Sequence, residues 1–125
     1  MRVLVVDDSP AYLAACVAVL TDDGHEVVGV GSFEEGRRLL AHDRFDVLIA
    51  DVRLGAYNGL HLIALAPPTT LTIAISAFVD GVLRRDAEQV GARFILKPPN
   101  IAAVSALLRP PSASVPSLTR TSAPA

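Results

Sequence analysis

Apolar positions fall in short runs and helical stripes that alternate along the chain. Arg2 to Val6 is a continuous, largely β-branched run that stops at Asp7-Asp8, the pattern of a strand buried on both faces of a parallel sheet. Ser9 can cap a helix whose first residue is Pro10, and Leu13, Cys16, Val17 and Leu20 fall at i, i+3, i+4 and i+7 on one face, with Gly24 closing it. Val27 to Val30 predicts a second strand, and Ser32 with Glu35 a capping box for a helix carrying Leu39 and Leu40. Phe45 to Ala50 reads as a third buried strand ending on Asp51, followed by a loop from Val52 to Gly59. A short helix from about Leu60 must stop at Pro67-Pro68. Leu71 to Ser76 predicts the fourth strand, Asp80 to Val90 a helix stopped by Gly91, and Arg93 to Leu96 the fifth strand. Asn100 can cap a last helix, Ile101 to Arg109, which Pro110-Pro111 terminates.

Five strands alternating with five helices imply right-handed crossovers and an α/β fold, a doubly wound (βα)5 unit with helices on both faces of a parallel sheet. Periodicity leaves the strand order open; among open doubly wound sheets the flavodoxin-like order 2-1-3-4-5 is the choice. Residues 1–109 thus form one domain. The remainder, residues 110–125 (PPSASVPSLTRTSAPA), is rich in Pro, Ser, Ala and Thr without periodicity and reads as a disordered tail or linker.

Composition narrows the function. Of the 125 residues 51% are hydrophobic, yet no apolar stretch reaches the roughly 18 residues of a membrane span. The start, MRVLVVDDSP, meets two carboxylates too early for a secretory signal, so a cytoplasmic protein is expected. A net charge of −2 and the scattered pairs Arg37-Arg38 and Arg84-Arg85 give no basic stripe, which argues against direct nucleic-acid binding. Cys16 is the only cysteine and lies on a helical apolar stripe, a packing position. His25, His42 and His61 have no metal-ligand spacing. Gly29 and Gly31 begin a dinucleotide fingerprint that fails at Glu34.

In open α/β sheets ligands bind beyond the carboxyl ends of the strands. Asp7, Asp8, Asp51, Ser76 and Lys97 all stand there, and if strands one, three, four and five are neighbours they converge. Oxygen-only ligands suit Mg²⁺, and Asp7, Asp8 and Asp51 could supply them. Mg²⁺ would offset the repulsion among the carboxylates and an incoming phosphoryl group, leaving Asp51 to attack phosphorus and form an acyl phosphate. Lys97 offers a point charge and Ser76 a small donor for the phosphoryl oxygens.

The strings VLVVDD, LIAD with NG downstream, AISA and FILKP resemble, in order, the motifs of bacterial two-component response-regulator receiver domains (CheY-like), over about residues 2 to 109. The resemblance implies that Asp7 and Asp8 are the acidic pair holding Mg²⁺, that Asp51 is the phosphoacceptor and that the backbone carbonyl of Arg53 completes the metal site. It makes Ser76 the switch hydroxyl, Lys97 the phosphoryl-sensing lysine, Phe94 the aromatic whose rotamer follows activation, and Lys97-Pro98 a cis bond. It implies a histidine kinase or histidine phosphotransfer protein as donor. Output, to a homodimer or a downstream effector, would pass through the face of the fourth helix, fifth strand and fifth helix, near Val82, Leu83, Phe94 and Leu107.

The chain departs from the pattern at Gly55, where a Pro is usual, at Pro99, and in a separation of only 25 positions between Asp51 and Ser76, which predicts an unusually short third helix. Two other functions compete. Phosphatases that form an aspartyl phosphate resemble an Asp-x-Asp motif, but Arg53 stands where their second carboxylate belongs. A pseudo-receiver would act as a scaffold by shape alone, without phosphorylation. A receiver is a signalling module whose only chemistry is on its own Asp51.

Overall fold

The computed structural model describes residues 1–54, 57–78, 81–97, 103–106 and 108. Five parallel strands, β1 (Arg2–Val6), β2 (Glu26–Val30), β3 (Val47–Asp51), β4 (Leu71–Ser76) and β5 (Arg93–Leu96), form one sheet in the order 2-1-3-4-5. The helices are α1 (Pro10–Asp22), α2 (Phe33–His42), α3 (Gly59–Ala64), α4 (Gly81–Gln89) and α5 (Ala103–Ala106). None of the helices among the described residues is long and apolar enough to cross a membrane.

The continuous apolar runs divide between two cores with the period of two that a strand imposes. Leu4, Val6, Leu48, Ala50, Ala74 and Phe94 face Leu60, Leu62 and Ile63 of α3 and Ala87 of α4, with Leu39 and Leu40 of α2 at the margin. Val3, Val5, Val47, Ile49, Ile73 and Ile75 face Cys16 and Leu20 of α1, together with Leu108. Both faces of the central strands are dry, so these strands read as unbroken hydrophobic runs.

Local signals set the helix ends. Ser9 caps α1 by accepting from the Tyr12 N–H at 3.4 Å, with Pro10 opening the helix. Ser32 Oγ accepts from the Glu35 N–H at 3.2 Å, and Glu35 returns its carboxylate to that hydroxyl at 3.1 Å. Gly24 and Gly91 follow α1 and α4 at φ +96° and +83°, a conformation that costs other residues more.

Several details differ from the sequence pattern. The third strand runs Val47–Asp51 rather than Phe45–Ala50, because Asp51 is itself in the ladder, opposite Ile75, while Phe45 lies beneath the Arg2 guanidinium at 4.8 Å. The loop after it holds a two-residue antiparallel ribbon, Arg53–Leu54 with Tyr57–Asn58. On the apolar face of α1, Cys16 and Leu20 are buried, Leu13 packs against the same core together with Tyr12, which the pattern did not include, and Leu13 and Val17 lie against the bare backbone of Gly29 on β2. The third helix has six residues, as short as the Asp51–Ser76 spacing demands. Gly55, Asp80, Pro98 with its peptide bond, Pro99, the Asn100 cap, Leu107, and residues 109–125 lie outside the described residues.

Candidate functional site

Parallel pairing brings the strand ends to one edge. Val6 pairs with Ala50, Asp51 with Ile75 and Ser76 with Leu96, so the residues that follow β1, end β3 and β4, and follow β5 are neighbours. Asp7 is fully buried, Asp51 is 6% exposed and Asp8 is exposed. One oxygen from each of the three lies within 4.8 Å of the others. Lys97 reaches across the sheet edge, its Nζ 2.9 Å from Asp7 Oδ2 and 3.1 Å from Asp51 Oδ2.

Each carboxylate is oriented by backbone. The Ser9 N–H donates to Asp7 Oδ1 at 2.8 Å and the Arg53 N–H donates to Asp51 Oδ1 at 3.0 Å. Among the described residues Asp7 Oδ2 has no aligned hydrogen bond and rests on its ion pair with Lys97. Burial pushes the Asp51 carboxyl above the usual carboxylate range, against the Arg53 N–H and Lys97, which favour its charge, while Asp7 adds to the rise. For Lys97 burial works against the charge, but pairing with Asp7 and Asp51 outweighs it and the ammonium is held more firmly than usual. The pocket therefore keeps its counter-charge in place while carrying an excess of negative charge. That donor set, oxygen-only and crowded, fits a hard divalent cation.

The remaining expected residues are also at this edge or behind it. Ser76 is buried, and its hydroxyl is engaged: it donates to the Phe78 carbonyl at 2.9 Å and accepts from the Phe78 N–H at 3.2 Å. Phe94 is 8% exposed and packed in the core, with the Arg84 guanidinium 5.3 Å from its ring centre. The Arg53 side chain is exposed and lies 5.9 Å from the ring of Phe78.

Two contacts at the site were not foreseen from the sequence. Tyr12 lies under the Lys97 ammonium, 4.4 Å from Nζ to ring centre. Its signal was the i, i+4 spacing to Cys16, which places it on the sheet-facing stripe at the end of α1 nearest the acidic pair. Gly59 opens α3 directly against β3: a Cβ there would stand 1.9 Å from the Asp51 carbonyl oxygen and 2.8 Å from its carbonyl carbon. Only glycine lets α3 begin so close to Asp51.

A doubly wound sheet with three clustered carboxylates and a paired lysine at its carboxyl edge defines a phosphoryl-accepting type of signalling domain. The profile of the response regulator receiver domain family matches residues 3–109, and the chain belongs to that family. It is a phosphorelay signalling module rather than a conventional enzyme, and Asp7, Asp8 and Asp51 form its acidic pocket. The chain is 32% identical over 110 residues to the sensory/regulatory protein RpfC of Xanthomonas campestris pv. campestris, covering 82% of this chain but only 15% of that protein's length. A CheY-like receiver domain from Methanospirillum hungatei JF-1 superposes with a TM-score of 0.81 at 24% identity, covering 86% of this chain and 89% of that one. A response regulator from Burkholderia pseudomallei, solved with a phosphorylated aspartic acid, calcium ion and citrate, gives 0.78 at 24% identity over 92% of this chain and 70% of that one. These last two likenesses speak to the fold.

Proposed function

We propose that the chain accepts a phosphoryl group on Asp51 from a histidine kinase or histidine phosphotransfer protein in the cytoplasm, and signals by a change in conformation. The observation that carries this reading is the state of Asp51: a buried carboxylate on a strand end, with Oδ1 held by the Arg53 N–H and Oδ2 paired with Lys97. Its attack forms an O–P bond as the donor's P–N bond breaks, and the departing imidazole nitrogen keeps the electron pair and takes up a proton. The Lys97 ammonium, already at Asp51, then follows the charge onto the phosphoryl oxygens.

Asp7, Asp8 and Asp51, with the backbone carbonyl of Arg53, would hold Mg²⁺, which when bound offsets the repulsion between carboxylates and phosphoryl oxygens. Ser76 is the switch donor in this reading, and to reach a phosphoryl oxygen its hydroxyl must leave Phe78. Phe94 is the candidate second switch, lying inward beneath Arg84 in the present state. Output passes through the α4–β5–α5 face to a second copy or an effector, by a shift in population between two states. Residues 1–109 form the receiver, with residues 110–125 a linker or tail by composition.

Intact-mass measurement after incubation with acetyl phosphate tests the reading. A gain of about 80 Da that requires both Mg²⁺ and Asp51, and is absent in Asp51→Asn, is the expected result. No adduct on the folded protein, with beryllofluoride binding also absent, would favour the pseudo-receiver scaffold.

A further inference from the structure

Lys97 Nζ has a third neighbour besides its two carboxylates. The ring of Tyr12, on α1, lies 4.4 Å from it, partly buried against the core that α1 forms with β1, β3 and β4. The Tyr12 hydroxyl is buried without a nitrogen or oxygen hydrogen-bond partner among the described residues, and the Cys16 thiol, Asp7 and Asp51 are the polar groups that act on it. What the residue presents to the Lys97 ammonium is an aromatic face. An aromatic face attracts an ammonium through its quadrupole, the more strongly as water is excluded, and the Lys97 side chain is only 16% exposed. Lysine also needs such help, because its charge rides on a flexible four-carbon stem.

We propose that Tyr12 is a positioning residue for phosphoryl transfer: its ring is the resting cradle of the Lys97 ammonium, holding it between Asp7 and Asp51 until phosphoryl oxygens draw it away. This rests on the reading of Asp51 as acceptor. A third carboxylate in that place would bind the ammonium too tightly to release it, and an aliphatic side chain would not bind it at all. The ring steers the charge without neutralising it.

The test combines rates and a spectroscopic signature on the full chain. Phosphorylation by acetyl phosphate, followed by intact mass, is compared in wild type, Tyr12→Phe and Tyr12→Leu, with Tyr12→Met in reserve should the leucine variant fold poorly. Tyr12→Phe keeps the ring and is expected within about twofold of wild type, whereas Tyr12→Leu falls about five- to tenfold. In a Lys97→Met background Tyr12→Leu changes the residual rate by less than about twofold, which a merely structural role would not produce. By NMR, the Lys97 ε-methylene protons show an upfield ring-current shift in wild type and Tyr12→Phe, lost in Tyr12→Leu and diminished by beryllofluoride with Mg²⁺. A leucine variant as fast as wild type, an equal loss in the Lys97→Met background, or no ring-current shift overturns the proposal. A wild type that shows the shift but gains no phosphoryl mass removes the acceptor reading, and the positioning role with it.

Discussion

Asp51 has to be both buried and charged, and the two requirements conflict. Burial raises its pKa in the folded protein above the 3.8 of an exposed carboxyl, so the native state binds that proton more tightly than the unfolded chain does. The stability tied to this group is whole below the unfolded value and is lost as pH rises through the folded one. Thermal melts of the metal-free protein, run in chelator from below pH 3.8 to neutrality, are therefore expected to show Asp51→Asn gaining on wild type as pH rises, with no advantage at the acid end. Identical profiles would mean that Lys97 and the Arg53 N–H compensate for burial in full. Cys16 gives a second case with the same sign at the alkaline end. Burial pushes its thiol from 9.0 up to about 11, so its contribution holds below pH 9 and is lost toward pH 11. The native thiol should resist a thiol reagent at neutral pH and label only on unfolding. The convergence of Asp7, Asp51 and Lys97 could be read from sequence because each ends or follows a strand of the same sheet. Tyr12 could not, because its role depends on a lysine far along the chain curling back over α1.

Elements differ in how much a single residue decides. Ser32 serves α2 alone, so Ser32→Ala should lower the unfolding free energy by about 1 kcal/mol in a urea titration and leave phosphorylation unchanged. Gly59 serves two elements at once. The added methyl of Gly59→Ala would overlap the Asp51 carbonyl, which is backbone and cannot swing aside. A loss of about 1–3 kcal/mol is expected in the same titration, together with slower phosphorylation, since either α3 or β3 has to move. Unchanged phosphorylation would show that α3 yields and β3 does not. Element type was legible wherever propensity and burial agreed: the five apolar runs are the five strands, and the Ser-x-x-Glu signal is the α2 cap. The ribbon at Arg53–Leu54 and Tyr57–Asn58 was not, because two-residue pairing leaves no periodicity to detect. Nor was the Ser76–Phe78 contact, since a short-range turn bond depends on rotamer rather than pattern.

At the scale of the whole molecule the acidic pocket crowds like charges in the metal-free fold, which a bound cation would offset. A ligand bound by the native state alone stabilises it by mass action, by about 1.4 kcal/mol for each tenfold rise above its dissociation constant. Mg²⁺ is expected to raise the melting temperature in a concentration-dependent way, and Asp8→Ala to remove much of that rise. A melting curve unmoved by millimolar Mg²⁺ would count against the cation site. The architecture was legible as alternation; the strand order was not, because periodicity leaves it open, and 2-1-3-4-5 came from choosing one known order among open doubly wound sheets.

The chemistry at this edge is stitched together by backbone. The Val52 N–H donates to the Ile75 carbonyl at 2.9 Å and the Lys97 N–H to the Ser76 carbonyl at 2.7 Å. Sliding one strand past its neighbour would break these bonds, so the sheet is a poor conductor of news from the pocket. Word of a modified Asp51 has to leave by the segments hung from the strand ends, first among them the turn in which the Ser76 hydroxyl holds Phe78. The tempo of any message is then that of a loop letting go, microseconds to milliseconds, and not that of the chemistry that prompts it.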